Sequence, residues 1–309
     1  MKIILTDSPK NCPEKLPEGY CLIPVNEKTL KRYSGNEDVE FVLCTRGLAA
    51  ILVDEEIHLP SCRLVQLFSV GYEQVNIEKY RERGIPLCNA AGVYDNVLAE
   101  YVVYAMLLYA KRFHRSLGKM WFRPFRDYHY MTEIAGKTVG VMGCGRIGSA
   151  VAMHLSGFGV SIIGCAKSTT EKNGFSKIYH QDGLKEFFSQ CDFVINTLPQ
   201  DESTMGLIDA DVLDAAKPSL VFINIGRDSI FFGDDFWRFL KTHKEAVAIL
   251  DMFEVFPNLI TNKYRRLANV LVMPRVSAIS QESVVALKKV LSSNIEASIQ
   301  GNPLQNQIV

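Results

Sequence analysis

Short apolar runs recur along the chain at intervals that leave room for a helix between them. In the first hundred residues they fall at Lys2 to Thr6, Cys21 to Pro24, Phe41 to Cys44, Leu64 to Phe68 and Pro86 to Cys88. Runs apolar at successive positions predict buried strands, and strands alternating with helical segments predict a small parallel α/β domain. A second series, at 138–142, 160–164, 177–179, 192–197, 219–224, 246–250 and 270–273, predicts a larger, doubly wound parallel sheet with helices between most of its strands. Between the two series, Asn96 to Ala110 is apolar almost all the way round. A helix of that kind must be buried on several sides, between domains or against a second subunit. Glu282 to Ile299 reads as a last amphipathic helix returning to the first domain. The expected organisation is two domains, 97–276 inserted between 1–96 and 277–309.

Composition agrees with that division and narrows the function. At 309 residues the chain is long for one core. With 34 basic and 34 acidic residues it has no net charge to steer it to nucleic acid or to an acidic membrane. Trp121 to Tyr130 mixes aromatics with Arg123, Arg126 and His129, which suits either a nucleic-acid surface or an irregular arm packed on a neighbour; the charge balance favours the arm. The eight cysteines show no CxxC and no metal-ligand spacing, so they are expected to be reduced and mostly buried, in a cytoplasmic protein without a metal site. Met1 to Leu5 is too short an apolar run for a signal peptide. The helix from Val97 to Ala110, interrupted by Glu100, falls short of the roughly 18 residues of a membrane span.

The chemistry begins at Gly143-Cys144-Gly145-Arg146-Ile147-Gly148, which follows the apolar run ending at Met142. Strand, tight turn and helix in this order form a dinucleotide cradle. The first glycine makes the turn, the second lets backbone approach a pyrophosphate, and the third lets helix pack on strand, with the pyrophosphate on free N–H groups at the helix N-terminus. A doubly wound sheet binds its ligands at the carboxyl ends of its strands, so functional residues are expected just after each one. The second strand ends in Ala166-Lys167-Ser168-Thr169-Thr170, with no acid before Glu171. A carboxylate there would hydrogen-bond the ribose hydroxyls of NAD and repel the 2'-phosphate of NADP. Lys167, Ser168 and Thr169 instead offer one cation and two hydroxyls, so NADP is expected over NAD, with NAD still possible.

Several further segments occur in a telling order: Ser69-Val70-Gly71-Tyr72, Asn89 to Val93, Ala99-Glu100-Tyr101, Thr197-Leu198-Pro199 with Thr204, Asn224-Ile225-Gly226-Arg227, and Leu250-Asp251 to Glu254. Together they resemble the D-isomer-specific 2-hydroxyacid dehydrogenase family, which includes glyoxylate/hydroxypyruvate reductases and phosphoglycerate dehydrogenase. The resemblance runs from about Leu64 to the C-terminus. It implies a Rossmann sheet inserted into a flavodoxin-like substrate domain, a homodimer built on the apolar linking helix, and hydride transfer between a nicotinamide and C2 of a small 2-keto or 2-hydroxy acid.

That chemistry needs a cation for the carboxylate, a proton donor for the developing alkoxide, and a carboxylate to orient and charge the donor. The resemblance gives the first role to Arg227, aided by the backbone amides of Val70 and Gly71. It places Gly143, Gly145, Arg146, Ile147, Gly148, Leu198, Pro199, Thr204, Ile225, Gly226, Asp251 and Ser277 around the cofactor. The other two roles are vacant. The family's histidine follows a proline after the last strand, where Pro274 is followed by Arg275; its glutamate lies five residues past the motif aspartate, where Asp251 leads to Phe256. Glu254 occupies a different slot. An arginine, always protonated, needs no carboxylate to keep it charged, and for the same reason it is a poor proton donor. Arg275 is then expected to polarise the C2 oxygen and leave protonation to water, and two arginines suggest a substrate with more than one negative charge. Asp228, where the family has glycine, either weakens Arg227's hold on an anion or points away. The alternative is a dinucleotide-binding sensor or partner-binding module that has lost acid-base catalysis.

Overall fold

A computed structural model describes residues 1–112, 131–251, 263–273 and 275–309. The chain divides into two compact units, Met1–Tyr94 with Ile279–Val309, and Asp95–Ala278.

The first unit holds β1 (Lys2–Thr6), β2 (Tyr20–Pro24), β3 (Val39–Cys44), β4 (Leu64–Leu67) and β5 (Leu87–Cys88), all parallel, in the order β2-β1-β3-β4-β5. This is the flavodoxin-like order. Strand periodicity builds a core on each face of the sheet. Leu5, Val42 and Leu67 pack in one cluster with Leu30 of α1 (Glu27–Leu30), Leu52 of α2 (Arg46–Asp54) and Tyr80 of α3 (Ile77–Glu82). Their chain neighbours Ile4, Phe41 and Leu43 pack in the other with Leu287, Leu291 and Ile295. These last residues lie on the C-terminal helix (Gln281–Gln300), started by a Ser280–Ser283 capping box and ended by Gly301 in the left-handed conformation. Side chains alternate across a strand, so one apolar run feeds two cores.

The second unit carries β6 (Thr138–Met142), β7 (Ser161–Ala166), β8 (Lys177–His180), β9 (Phe193–Asn196), β10 (Val221–Asn224), β11 (Val247–Leu250) and β12 (Val270–Val272). The order is β12-β11-β10-β9-β6-β7-β8, and every pairing is parallel. Strand order therefore reverses between β6 and β9, the switch point of a Rossmann sheet, and the glycine turn follows β6. The linking helix α4 (Asp95–Ala110) packs against α5 (Arg146–Leu155). Its exposed positions, Asn96, Glu100 and Tyr104, recur at helical spacing and leave one solvent-facing stripe.

All eight cysteines are free, and burial pushes the Cys165 and Cys191 thiols up to about 12. Among the described residues no cluster of His, Cys, Asp and Glu is arranged to hold a metal, and no helix is long and apolar enough to cross a membrane. The aromatic and basic stretch from Trp121 to Tyr130 lies outside the described residues, as do Glu254, Phe256 and Pro274.

Candidate active site

The glycine turn is built from two constraints inside the protein and one left open. Gly143 has φ +91°, and its N–H donates to the Cys165 carbonyl at 2.8 Å, tying the turn to β7. At Gly148 a Cβ would lie 1.9 Å from the Gly143 carbonyl oxygen, so only glycine lets α5 pack this closely. At Gly145 a Cβ would meet nothing within 4 Å. Gly145 is also the N-cap of α5 and no side chain caps the helix, so its first-turn N–H groups are left for an external acceptor. A dinucleotide pyrophosphate fits this arrangement: the second glycine has no internal reason to be small. Thr197 closes the turn from β9, donating its hydroxyl to the carbonyls of Met142 at 2.9 Å and Gly143 at 3.0 Å. Gly148→Ala is expected to lower stability by about 3 kcal/mol or more, by overpacking against backbone, and to weaken dinucleotide binding; thermal melts and cofactor titration of the same preparation check both.

Around this turn the charges are partly paired. Arg146 donates from Nε to Asp95 Oδ2 at 3.1 Å with its guanidinium largely exposed, and Ile147 is half-buried. Past β7, Lys167 pairs with Asp201 at 3.4 Å, and the Ser168 hydroxyl lies 2.7 Å from that of Thr170. Thr169 is exposed. Hydrogen bonds from Ser203, with Lys167 nearby, hold the Asp201 carboxyl below its ordinary value. A second cation arrives from a residue that sequence reasoning passed over: Lys172 donates from Nζ to the carbonyl of Cys144, inside the glycine turn. No local pattern marks that lysine, because the contact depends on how the segment after β7 folds back.

At the ends of β9 and β10 the side chains look inward. Leu198 is buried, and Thr204, 2% exposed, uses its hydroxyl within the loop, accepting from the Asp201 N–H at 2.9 Å and donating to the Pro199 carbonyl at 2.8 Å. Thr204 thus shapes the loop that carries Leu198 and Pro199. Asn196 and Asn224 end neighbouring strands in register, both fully buried, with Asn196 Nδ2 donating to Asn224 Oδ1 at 2.9 Å. Ile225 is buried beside them and its N–H donates to the Asn196 carbonyl at 3.1 Å. Arg227 is half-buried, in extended conformation, and one guanidinium N–H donates to the Gly226 carbonyl at 2.9 Å. Asp228 opens the short turn Asp228–Ile230; its charge, after burial and Asp234, helps raise the Tyr264 hydroxyl above its ordinary value.

One strand further, Asp251 is 1% exposed, and its carboxylate accepts from the N–H groups of Val276 at 2.7 Å and Ser277 at 2.9 Å and from the Ser277 hydroxyl. The Arg275 N–H donates to the Asp251 carbonyl at 2.9 Å, and the Asp251 N–H to the Asn224 carbonyl at 3.0 Å. Asp251 therefore fixes the turn that presents Arg275. That residue has φ +54°, a left-handed conformation uncommon for a long side chain and costing roughly 1–3 kcal/mol. Its guanidinium is exposed and has no polar partner among the described residues. Arg227, Asp251 and Arg275 thus follow three neighbouring strands, at the same end of the sheet as the glycine turn.

Val70 and Gly71 lie in the other unit, after β4. The loop is held by its carbonyls: Ser69 accepts from the Ala90 N–H at 3.0 Å and Val70 from Asn89 Nδ2 at 2.8 Å. The N–H groups of Val70 and Gly71 have no acceptor among the described residues. Tethered carbonyls and undirected N–H groups are what an anion requires of backbone.

Known proteins are similar to this chain along most of its length. The family profile described as D-isomer specific 2-hydroxyacid dehydrogenase, NAD binding domain, matches residues 103–277. A glyoxylate reductase of Pyrococcus furiosus is 30% identical over 289 residues, covering 89% of this chain and 84% of the relative. A glyoxylate/hydroxypyruvate reductase A of Arabidopsis thaliana is 26% identical, covering 95% and 90%. The crystal structure of an NADPH-dependent glyoxylate/hydroxypyruvate reductase from Sinorhizobium meliloti, in complex with NADP and malonate, superposes with a TM-score of 0.82 at 26% identity, covering all of this chain and 97% of that one.

Proposed function

The chain belongs to the D-isomer specific 2-hydroxyacid dehydrogenase family, whose reaction is hydride transfer between NAD(P)H and C2 of a 2-keto or 2-hydroxy acid, and we propose that its own substrate is a small 2-keto acid such as glyoxylate or hydroxypyruvate. The observation that carries the cofactor half is the glycine turn, tight at Gly143 and Gly148 and open at Gly145 before an uncapped helix. When bound there, the dinucleotide supplies the hydride. Gly143, Gly145, Arg146, Ile147 and Gly148 hold its pyrophosphate; Leu198, Pro199, Ile225 and Gly226 line the cradle; Thr204, Asp251 and Ser277 hold the cradle's loops in shape. Relatives named as reductases give no support to a sensor that has lost catalysis.

For the substrate we assign the carboxylate to the Arg227 guanidinium, whose fork matches two oxygens; in the other unit, taken by itself, the Val70 and Gly71 N–H groups are the donors offered to an anion. Arg275 polarises the C2 oxygen, with water supplying the proton. A second arginine also suits a substrate with a second negative charge. The protein acts as a homodimer, and its free cysteines suit the cytoplasm. NADPH oxidation over glyoxylate, hydroxypyruvate, oxaloacetate and 2-oxoglutarate tests the reading. Turnover with any of them supports it; protein that binds NADPH and oxidises it with none overturns it.

NADPH over NADH is the reading we favour, because Lys167 and Lys172 bring positive charge to a strand end that lacks a carboxylate. Asp201 works against them, so Asp201→Asn is expected to tighten NADPH binding by about fivefold, the effect of an exposed charge interaction of roughly 1 kcal/mol, with little change for NADH. Fluorescence titration of both cofactors measures this, and tighter binding of NADH by the unmodified protein rules the preference out.

A further inference from the structure

We infer that Asn196 and Asn224 form a positioning pair for Arg227, which deepens the functional reading above and rests on it. Neither side chain is needed by the sheet. The backbone N–H of Ile225 already donates to the Asn196 carbonyl, and that of Asp251 to the Asn224 carbonyl, so an apolar residue at either strand end would leave the ladder intact. The preceding residues of both strands are apolar and buried. Two fully buried amides at this place cost free energy unless every polar atom is met, and their hydrogen bonds show what meets them.

Asn196 Oδ1 accepts from the Leu198 N–H at 3.0 Å, and its Nδ2 donates to Asn224 Oδ1 at 2.9 Å and to the Arg227 carbonyl at 3.2 Å. Asn224 Oδ1 also accepts from the Gly226 N–H at 3.1 Å, and its Nδ2 donates to the same Arg227 carbonyl at 3.2 Å. Two amides thus converge on one carbonyl, that of the arginine, while their oxygens hold the residue before it and the loop from β9. Gly226 shows how tightly the pair closes: a Cβ there would lie 2.7 Å from Asn196 Nδ2 and 2.7 Å from the Leu198 carbonyl. A satisfied buried network of this kind selects one backbone geometry over its neighbours. What it selects is the direction in which Arg227 leaves the chain. A fork that must meet two carboxylate oxygens is sensitive to that direction, and a misplacement of about 1 Å can cost on the order of 10²-fold.

The test uses oxamate, a carboxylate analogue of a 2-keto acid, titrated into the NADPH-saturated protein and read by the fluorescence of the bound cofactor. Saturation removes any change in cofactor affinity from the comparison. Asn196→Leu and Asn224→Leu, which keep the branched skeleton of four side-chain heavy atoms while removing the polar ones, are each expected to weaken oxamate about tenfold or more. Placed in an Arg227→Lys background, the same substitutions should cost less than about threefold, because a lysine ammonium is a flexible point charge that does not depend on a set direction. Oxamate binding equal to that of the unmodified protein overturns the inference, and so does an equal loss in both backgrounds, which would mark general damage. Should the leucine variants fail to fold, Asn196→Ser and Asn224→Ser are read in the same cycle. If the unmodified protein binds neither NADPH nor oxamate, the functional reading falls and the inference with it; binding of both with insensitive variants overturns the inference alone.

Discussion

Arg227→Gln is expected to lower kcat/KM for glyoxylate or hydroxypyruvate by about 10²- to 10⁴-fold, the loss of two charge-assisted hydrogen bonds of roughly 1.5–3 kcal/mol each. A parallel sheet gathers its ligands at the carboxyl ends of its strands, and Arg227 follows β10, one strand from Asp251 and two from the turn that carries Arg275. Its backbone is extended, its carbonyl is clasped by two buried amides, and its flank is a glycine that nothing larger could replace. Such anchoring fixes the direction in which the side chain leaves the backbone, and the Gly226 carbonyl accepts from its guanidinium at 2.9 Å. Glutamine keeps length and polarity while removing the charge and the fork, so the backbone clasp should survive and stability should change little. Steady-state kinetics against keto-acid concentration, beside a cofactor titration, make the measurement. A variant that keeps kcat/KM within about threefold of the unmodified protein would take the carboxylate away from Arg227.

Much of this site can be read from the sequence because it sits where periodicity ends. Each apolar run marks a buried strand, and the residue after it is a candidate, which brings Gly143, Lys167, Leu198, Arg227, Asp251 and Arg275 into view before any coordinates. The structure adds what depends on lateral register. Asn196 is an ordinary polar residue at a strand end until β9 and β10 lie side by side and set it against Asn224. Lys172 sits in a polar turn until that turn folds back on Cys144. Thr204 and Asp251 are candidate ligand contacts by motif, and the structure adds that their polar atoms also engage Pro199, Asp201, Val276 and Ser277, which ties their loops together. The left-handed backbone of Arg275 could not be foreseen either, since arginine carries no preference for it. A hydrophobic pattern specifies which segments are strands; hydrogen bonds between segments distant in sequence specify how polar residues at the strand ends are used.

Arg275→His combined with Phe256→Glu is expected to raise kcat for keto-acid reduction by about 10²- to 10⁴-fold, the usual contribution of a general acid. Arginine cannot release a proton at working pH, whereas a histidinium can. The site is prepared for the exchange on its described side. Asp251 holds the backbone N–H groups of Arg275, Val276 and Ser277 through its carbonyl and carboxylate, so a new side chain at 275 would leave from the same place. Histidine is among the residues enriched in the left-handed region, so the backbone there suits it better than it suits arginine. Removing the guanidinium orphans nothing among the described residues. Glutamate at 256, five residues past Asp251, is introduced to orient the imidazole and raise its pKa. The sign follows: the donor is active when protonated, so reduction by Arg275→His alone should decline as pH rises through the ordinary histidine range near 6.5, and the added glutamate should move that decline to higher pH. A pH profile of kcat for both variants measures this. A fall in rate instead would mean that the permanent charge of Arg275 does work that a titrating imidazole cannot replace, such as holding a second negative charge on the substrate. In that case the departure from the family pattern reflects selection for a different substrate, and the dianionic keto acids in the panel should be the ones the unmodified protein turns over fastest.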